Sequence, residues 1–401
     1  MPFLLLPVIT SYLNPSEYGT LSIYFLAISI YTAFIGMNMH TNISKNFFKS
    51  SKEELALYIG NIFFILLGTF SLSLLCTGIM SLFYKSIFSI PIYWLFFVPL
   101  ISALTMINTM NMTILRNEQR AYIFGAFELL QVFMKLSLTI LFLIVFLLNW
   151  YAQVLSTVIV SGLFFVIGFF YMNKRRYISL RFNMQKVKSI LKISLPLIPH
   201  VLGGTIIAMS DRLFIKEMVG LEAVGIYSIG YMFGMIILLF TDAFIKAWSP
   251  WFYKKLVKPT ETDKKSIVRY TYVYIILVLL LAIVIAGVSH LVLPYVVDEK
   301  FYGASEYIFW IAIAYAINGI YQIFFPYIVH IEKTSFLAIS TLIAAVLNII
   351  FNYFLIKYFG TIGAAYATVI SFSFSAVFVF WYQSRHYQMP WFKLTSVKTR
   401  S

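Results

Sequence analysis

Two neighbouring charges, Asp211 and Arg212, interrupt a stretch from 193 to 220 that is otherwise apolar enough to cross a bilayer. A charge at the bilayer centre costs about 2.5–3.5 kcal/mol on insertion scales, so it normally faces other helices or a water-filled cavity. Arginine can hold a phosphate group through two parallel hydrogen bonds. The pair therefore indicates either an anion-binding site or two structural charges. Because side chains at i and i+1 diverge by about 100° on a helix, we expect them to use different partners or to pair only partly.

Two further charge pairs stand inside apolar stretches. Glu128 and Lys135 are seven residues apart, on one helix face but about two turns distant, which is too far for a direct bond. Asp242 and Lys246 are four residues apart, the spacing of an intrahelical ion pair. Each pair either lines a substrate-binding cavity or is structural. As structural residues, Glu128 and Lys135 would be neutralised by neighbouring helices, whereas Asp242 and Lys246 would neutralise each other within one helix.

Two histidines complete the set of candidate binding residues. His200 follows Pro199 and either lines the inner mouth of a cavity or is a hydrogen-bonded structural residue. Asn38, His40 and Asn42 form a polar helix end, which either contributes to the cavity or simply enters the membrane interface. The sequence contains no nucleotide-binding motif and no H-E-x-x-H, and its one cysteine, Cys76, excludes a disulfide framework. We therefore predict no cofactor, no metal and no ATP-driven step on this chain.

The elements that must position these residues are membrane-spanning helices. Of 401 residues, 61% are hydrophobic and 11% charged, and the mean hydropathy is +0.87; a soluble domain is nearer half apolar and a quarter charged. Using about 20 apolar residues per crossing, the sequence predicts an all-α integral membrane protein of about twelve transmembrane helices. The first, at 1–13, is half a span long and is interpreted as incomplete. The others are predicted at 18–40, 56–84, 91–115, 121–148, 151–172, 193–218, 222–247, 268–293, 302–326, 335–357 and 361–383.

The net charge of +15 would suggest a nucleic-acid partner in a soluble protein, but its distribution argues against one here. Alternate loops and the C-terminal tail hold 23 of the 30 lysines and arginines. The other loops hold 4, and only Lys135, Arg212 and Lys246 fall within spans. By the positive-inside rule the basic loops and the C-terminus are cytoplasmic.

Short matches indicate an internal repeat. Gly19-x-x-Ser22-Ile23 matches Gly225-x-x-Ser228-Ile229, and 116–122 (RNEQRAY) parallels 330–336 (HIEKTSF). These offsets near 210 residues predict two parallel six-helix repeats, an organisation found in many transporters. The predicted organisation is a first lobe at 1–172, a basic cytoplasmic linker at 173–192, a second lobe at 193–384 and a cytoplasmic tail at 385–401.

Four strings carry a resemblance to a known family. They are LLPVITSYLNPSEYGTLSIY, SDRLFIKEMVGLEAVGIYSIGYMFG, KAWSPWFYKK and FGTIGAAYATVIS. Together they resemble bacterial lipid-linked oligosaccharide flippases, the O-antigen and capsule repeat-unit transporters of the multidrug/oligosaccharidyl-lipid/polysaccharide (MOP) exporter superfamily. The resemblance implies two six-helix lobes around a central cavity and alternating access. It also implies an undecaprenyl-diphosphate-linked oligosaccharide that moves from the cytoplasmic to the outer leaflet. It also implies a location in the bacterial cytoplasmic membrane, contact with membrane lipids, and a polymerase and glycosyltransferases of the same pathway as partners.

Three other functions stay open from the sequence. A multidrug-type antiporter of the same superfamily would use acidic cavity residues for organic cations, whereas cations match acids within these spans. A membrane glycan polymerase or glycosyltransferase would need larger outer loops. A receptor or scaffold would not explain a twofold repeat with buried charges.

Overall fold

The computed structural model describes residues 2–256, 259–331 and 333–391. Eleven of the helical segments in this part are long and apolar enough to cross a membrane. The fold is therefore that of an all-α integral membrane protein, which confirms the predicted class. The helices are α1 (Leu6–Tyr12), α2 (Pro15–Gly36), α3 (His40–Phe47), α4 (Lys52–Phe83), α5 (Ile92–Leu95), α6 (Phe97–Asn117), α7 (Ala121–Ile144), α8 (Tyr151–Lys174), α9 (Met184–Ser194), α10 (Ile198–Met209), α11 (Asp211–Met218), α12 (Leu221–Gly234), α13 (Ile237–Leu256), α14 (Glu261–Val296), α15 (Ser305–His330), α16 (Thr334–Phe359) and α17 (Ile362–His386).

Local chemistry sets where several helices begin. The Asn14 side chain accepts a hydrogen bond from the Glu17 amide, and the Glu17 carboxylate accepts one from the Asn14 amide. This reciprocal cap, with Pro15 in the first turn, starts α2. Thr260 and Asp263 start α14 in the same way. Between α4 and α5, two strands of two residues each, β1 (Ser86–Ile87) and β2 (Ile90–Pro91), pair in an antiparallel hairpin.

The seventh predicted helix, 193–218, differs from the structure at both ends. The helical segment begins earlier, at Met184, passes through a 3₁₀ turn at Leu195–Leu197 and ends at Met209. Ser210 separates it from α11, so Asp211 and Arg212 stand at a helix start. Pro196 lies in the 3₁₀ turn and Pro199 is the second residue of α10, and neither proline has a backbone N–H to donate to the helical ladder. Part of the predicted linker at 173–192 is thus helical.

The described residues divide between 205 and 206 into two compact units. This division falls inside the predicted seventh helix, and the lobe and linker boundaries taken from the sequence stay a prediction. In the first unit, Ile35, Met39 and Ile43 are fully buried in a core with residues of α4 and α6. In the second, Gly230 and Gly234 let α12 approach the chain at Ala304 and Ile311, where an added Cβ would lie 2.4 and 2.6 Å from the nearest atoms.

Candidate functional site

Asp211 and Arg212 form a buried ion pair in the second unit. The Arg212 Nη1 donates to Asp211 Oδ1 at 2.6 Å, and the Arg212 amide donates to the same oxygen at 2.8 Å. Asp211 is 0% exposed and Arg212 is 5% exposed. The two side chains pair only partly, as expected, because Asp211 Oδ2 bonds to Tyr227 and Arg212 Nη1 also donates to the Ala208 carbonyl. A long arginine side chain can fold back along its own helix. Its guanidinium therefore reaches the neighbouring carboxylate although the two Cβ atoms point in different directions.

Aromatic residues complete the surroundings of this pair. The Tyr227 hydroxyl donates to Asp211 Oδ2 at 2.7 Å. The guanidinium carbon of Arg212 lies 4.1 Å from the Tyr231 ring centroid, close enough for a cation–π interaction. The Tyr231 and Tyr315 hydroxyls are 2.7 Å apart and hydrogen-bonded. Each charge thus has a charged and an aromatic neighbour, the arrangement that a stable buried ion pair requires.

Lys135 has different surroundings in the first unit. It lies about 21 Å along α7 from Ala121, near the middle of a span, and its Nζ lies 5.9 Å from the Phe25 ring centroid of α2. Lys135 is half-buried, whereas Glu128 is exposed. Within the described ranges no acidic group, Glu128 included, forms an ion pair with Lys135.

Asp242 and Lys246 are both exposed on α13. They make no ion pair with each other in the part of the chain that the structure describes, so the predicted intrahelical pairing is wrong. Exposed pairs at this spacing gain only about 0.2–0.5 kcal/mol, too little to hold two side chains together. The backbone of His200 lies in α10, and its side chain lies outside the described structure.

His40 lines a pocket of 380 Å³ in the first unit. Asn38 belongs to the same pocket, while Asn42 is buried behind it and donates from Nδ2 to Ser194 Oγ at 2.8 Å. Hydroxyl groups dominate the polar part of the lining. They belong to Ser29, Thr32, Thr105 and Thr109. The sequence reading missed these four residues because one hydroxyl barely changes the hydropathy of a span; their spacing of i, i+3 and i, i+4 on α2 and α6 was the available signal.

The pocket is formed where α2 gives way to α3. Met37 and Asn38 both have left-handed backbone conformations, with φ of 43° and 54°. Asparagine tolerates this region, but for methionine it costs roughly 1–3 kcal/mol. The fully buried Met39 and the Asn42–Ser194 bond hold the break in place. His40 is therefore presented at a fixed helix start.

The pocket carries little charge of its own. Burial lowers the pKa of His40 from its usual 6.5, and the nearby Arg116 charge lowers it further. The imidazole is accordingly neutral at pH 7, with one donor and one acceptor nitrogen. The Thr109 hydroxyl donates to the Thr105 carbonyl at 2.8 Å, which leaves its oxygen lone pairs free to accept. Such a lining suits a polar, uncharged group with several hydroxyls.

Over 370 residues the chain is 23% identical to the Haemophilus influenzae "Lsg locus putative protein 1", covering 87% of this chain and 85% of that protein. Its fold is similar to an inward-facing multidrug resistance MATE family transporter of the MOP superfamily, with a TM-score of 0.69, 14% identity, and 95% and 92% of the two chains covered. It is also similar to a MOP superfamily transporter from Pyrococcus furiosus described by the reverse polarity of its binding pocket, with a TM-score of 0.57, 14% identity, and 95% and 90% coverage.

The family model described as "Polysaccharide biosynthesis protein" matches residues 1–256. This match extends through the first unit and to the end of α13, and the fold of the whole described chain is that of MOP superfamily transporters. Both findings confirm the branch indicated by the sequence motifs. The chain therefore belongs to the polysaccharide biosynthesis protein family, and it is a multi-pass membrane protein with the fold of MOP superfamily transporters.

Proposed function

We propose that this transporter moves undecaprenyl-diphosphate-linked oligosaccharides from the cytoplasmic to the outer leaflet of the bacterial cytoplasmic membrane. Its family match to polysaccharide biosynthesis proteins supports a glycan pathway. The substrate has an anionic diphosphate, a polar glycan and a long apolar chain. A transporter for it must offer a cation and a polar lining without exposing either to lipid.

The observation that carries the proposal is Lys135. It is a half-buried cation at mid-span, and none of the described acidic groups pairs with it. An unpaired ammonium at that depth is costly, and such residues commonly mark a substrate pathway. A bound diphosphate would supply the missing counter-charge, since lysine binds phosphate well as a point charge.

The charge balance within the spans supports an anionic substrate. Asp211 is neutralised by Arg212, and Glu128 is exposed on α7. The neutral, hydroxyl-lined pocket at His40 offers hydrogen-bonding groups suited to sugar hydroxyls.

The second candidate is a multidrug-type antiporter. The observation that favours it is Asp242, an exposed carboxylate on the membrane-spanning α13 that has no ion-pair partner among the described residues. The solved neighbour named as a multidrug resistance MATE family transporter shares the fold. For an exporter of organic cations, Asp242 would be the required charge and Lys135 would not.

A leaflet assay in proteoliposomes separates the two functions. Purified protein is reconstituted with a fluorescent lipid-linked oligosaccharide, and the labelled lipid accessible from outside is followed over time. We expect Lys135→Met, which removes the positive charge, to slow flipping roughly tenfold or more, a loss of about 1.4 kcal/mol or more. Lys135→Arg keeps the charge and should retain more of the flipping rate. Glu128→Gln is the matched control on the same helix and should flip at the wild-type rate.

The same vesicles also test the rival function. Uptake of a fluorescent organic cation that depends on Asp242 and not on Lys135, with no flipping of the glycolipid, would refute the proposal. Polymerase and glycosyltransferases of the same pathway remain the proposed partners.

A further inference from the structure

A groove of 570 Å³ lies between α13 and α14 in the second unit. On α13 it is lined by Phe240, Phe244, Ala247, Trp248 and Trp251. These residues are spaced by three and four, so they form one stripe along the helix. Three of them belong to KAWSPWFYKK, a motif that the transport proposal has not used. We call this feature the aromatic groove.

The facing wall comes from α14, with Tyr270, Tyr274, Leu277 and Leu281 at the same spacing. Both stripes cover twelve residues, and the eleven rises of about 1.5 Å between them give the groove a length of about 16 Å along the helices. Phe244 and Tyr274 stack on each other with ring centroids 4.2 Å apart, so a bound chain would lie over these two rings and not between them. The groove is thus a long slot with aromatic walls and aliphatic residues at one end.

Packing behind the groove fixes the position of this wall. A Cβ at Gly319 on α15 would lie 2.8 Å from the Tyr274 hydroxyl and 2.7 Å from the Thr241 methyl. Only glycine therefore lets Tyr274 and Thr241 take these positions. The groove depends on a specific small residue in the neighbouring helix.

The two ends of the aromatic groove differ in charge. At the end formed by Trp251 and Tyr270, the chain continues into Lys254 and Lys255. Lys255 is engaged by Asp263 at 2.5 Å, whereas Lys254 is exposed and makes no ion pair within the described ranges. The other end, at Phe240 and Leu281, is apolar. A molecule that matches both ends is an amphiphile with an anionic head and a hydrocarbon chain.

We infer that the aromatic groove binds the polyprenyl chain of the lipid-linked substrate when the lipid first associates, with the diphosphate at the Lys254 end until it moves to Lys135 during transport. This inference rests on the proposed function and names the site of the apolar part of the substrate. Water does not fill an apolar slot within a span, so hydrocarbon must. The methyl branches of an isoprenoid give the flat aromatic walls more contact than a straight acyl chain does.

Photolabelling tests this assignment. The full-length protein in phosphatidylglycerol-containing vesicles is exposed to a polyprenyl diphosphate that has a diazirine in its chain and no sugar. We expect the label in the segments 240–251 and 270–281, with competition by unlabelled polyprenyl diphosphate. Leu277→Trp fills the groove and should reduce labelling there roughly tenfold.

Ile283→Trp is the matched control. Ile283 is 53% exposed on the same helix and Leu277 is 58% exposed, but Ile283 does not line the groove. Its labelling should stay at the wild-type level. Ala247→Trp fills the opposite wall and should reproduce the loss, and size-exclusion profiles of all variants confirm that they are folded.

Each remaining outcome overturns the inference. Labelling outside the groove, or labelling of the groove that Leu277→Trp leaves unchanged, excludes this site for the chain. Equal labelling by a photoreactive phospholipid, without competition by polyprenyl diphosphate, makes the groove an ordinary lipid contact. Because the probe has no sugar, groove labelling without glycolipid flipping refutes the proposed function alone, and flipping without groove labelling refutes this inference alone.

Discussion

The carboxylate of Asp211 is fully buried, and its charge is tolerated only because three donors surround it. They are the guanidinium and amide of Arg212 and the hydroxyl of Tyr227. A buried ion pair adds little net stability, but removing one partner leaves the other charge unpaired. A role of Arg212 in substrate binding stays a prediction, and the structure supports a structural role beside it.

Arg212→Ala should therefore destabilise the protein by roughly 3–5 kcal/mol and lower its abundance in the membrane. Tyr231→Phe is the matched control, because it keeps the ring beneath Arg212 and loses only the bond to Tyr315, which costs about 1 kcal/mol. Thermal unfolding in detergent and quantitative immunoblotting give the two values. Wild-type abundance of Arg212→Ala together with lost export would show that Arg212 acts on substrate instead.

His40 should give the protein a defined pH response. Its pKa is lowered from 6.5 in the folded state, so the unfolded chain takes up the proton first as the pH falls. Stability should therefore be full above about pH 6.5, decline below it, and level off under the folded pKa. Unfolding temperatures between about pH 7 and pH 5 measure this effect.

His40→Gln should flatten that profile, since the amide stays neutral throughout. His290→Gln serves as the comparison, because His290 is exposed on α14. An unchanged profile in His40→Gln would mean that another group controls the acid response.

At the scale of helices, Glu118 joins three elements on one side of the first unit. Its carboxylate accepts hydrogen bonds from Tyr171 at 2.6 Å and Tyr177 at 2.8 Å, and it pairs with Arg120 at 3.1 Å. It thereby links the α6–α7 turn to the end of α8 and to the segment that follows. Burial alone would raise the pKa of Glu118, but the two tyrosine bonds and the charges of Arg120 and Arg175 together lower it.

Glu118→Gln should lower stability at neutral pH by roughly 1–3 kcal/mol, since bonds to a charged acceptor are lost. Because the folded pKa of Glu118 is depressed, its stabilising effect is complete above about pH 4.5 and lost as the pH falls through the folded value. The variant should accordingly lose less stability than wild type on acidification. Denaturation series at neutral pH and below about pH 4.5 measure this difference, and Glu53→Gln, at an exposed position, is the control. Equal acid sensitivity of wild type and Glu118→Gln would contradict the assignment.

Most helices could be predicted because a lipid-crossing segment must be long and apolar, which hydropathy detects directly. The turn at Met235–Ile236 could not, since the apolar run continues through it, and the break at Ser210 was not predicted although two charged residues follow it directly. The charged candidates were visible as charges, but their partners depend on rotamers and on helices distant in sequence. Tyr227 and Tyr231 illustrate this, because tyrosines in a membrane protein are usually assigned to the interface. The hydroxyl-lined pocket was missed for the related reason that serine and threonine are nearly silent in hydropathy.

At the scale of the whole chain, the distribution of basic residues predicts which loops lie on the cytoplasmic side of the membrane. The fold alone does not indicate this. The described segments 174–192 and 259–269 have many lysines and arginines, and they lie between candidate spans or at the ends of them. The turn between β1 and β2 lies between the α4 and α5–α6 spans and has few. If positive residues stay on the cytoplasmic side, these regions must lie on opposite faces.

Cysteine accessibility in intact cells measures this sidedness. In a Cys76→Ser background, Ser189→Cys and Thr262→Cys should resist a membrane-impermeant maleimide until the cells are opened. Ser86→Cys, in the hairpin, should react at once and is the positive control, because all three positions are exposed in the structure. Differences in reactivity therefore report the membrane barrier and not burial within the protein. Labelling of Ser189→Cys or Thr262→Cys in sealed cells would invert the topology, and the Lys254 end of the aromatic groove would then face the outer leaflet.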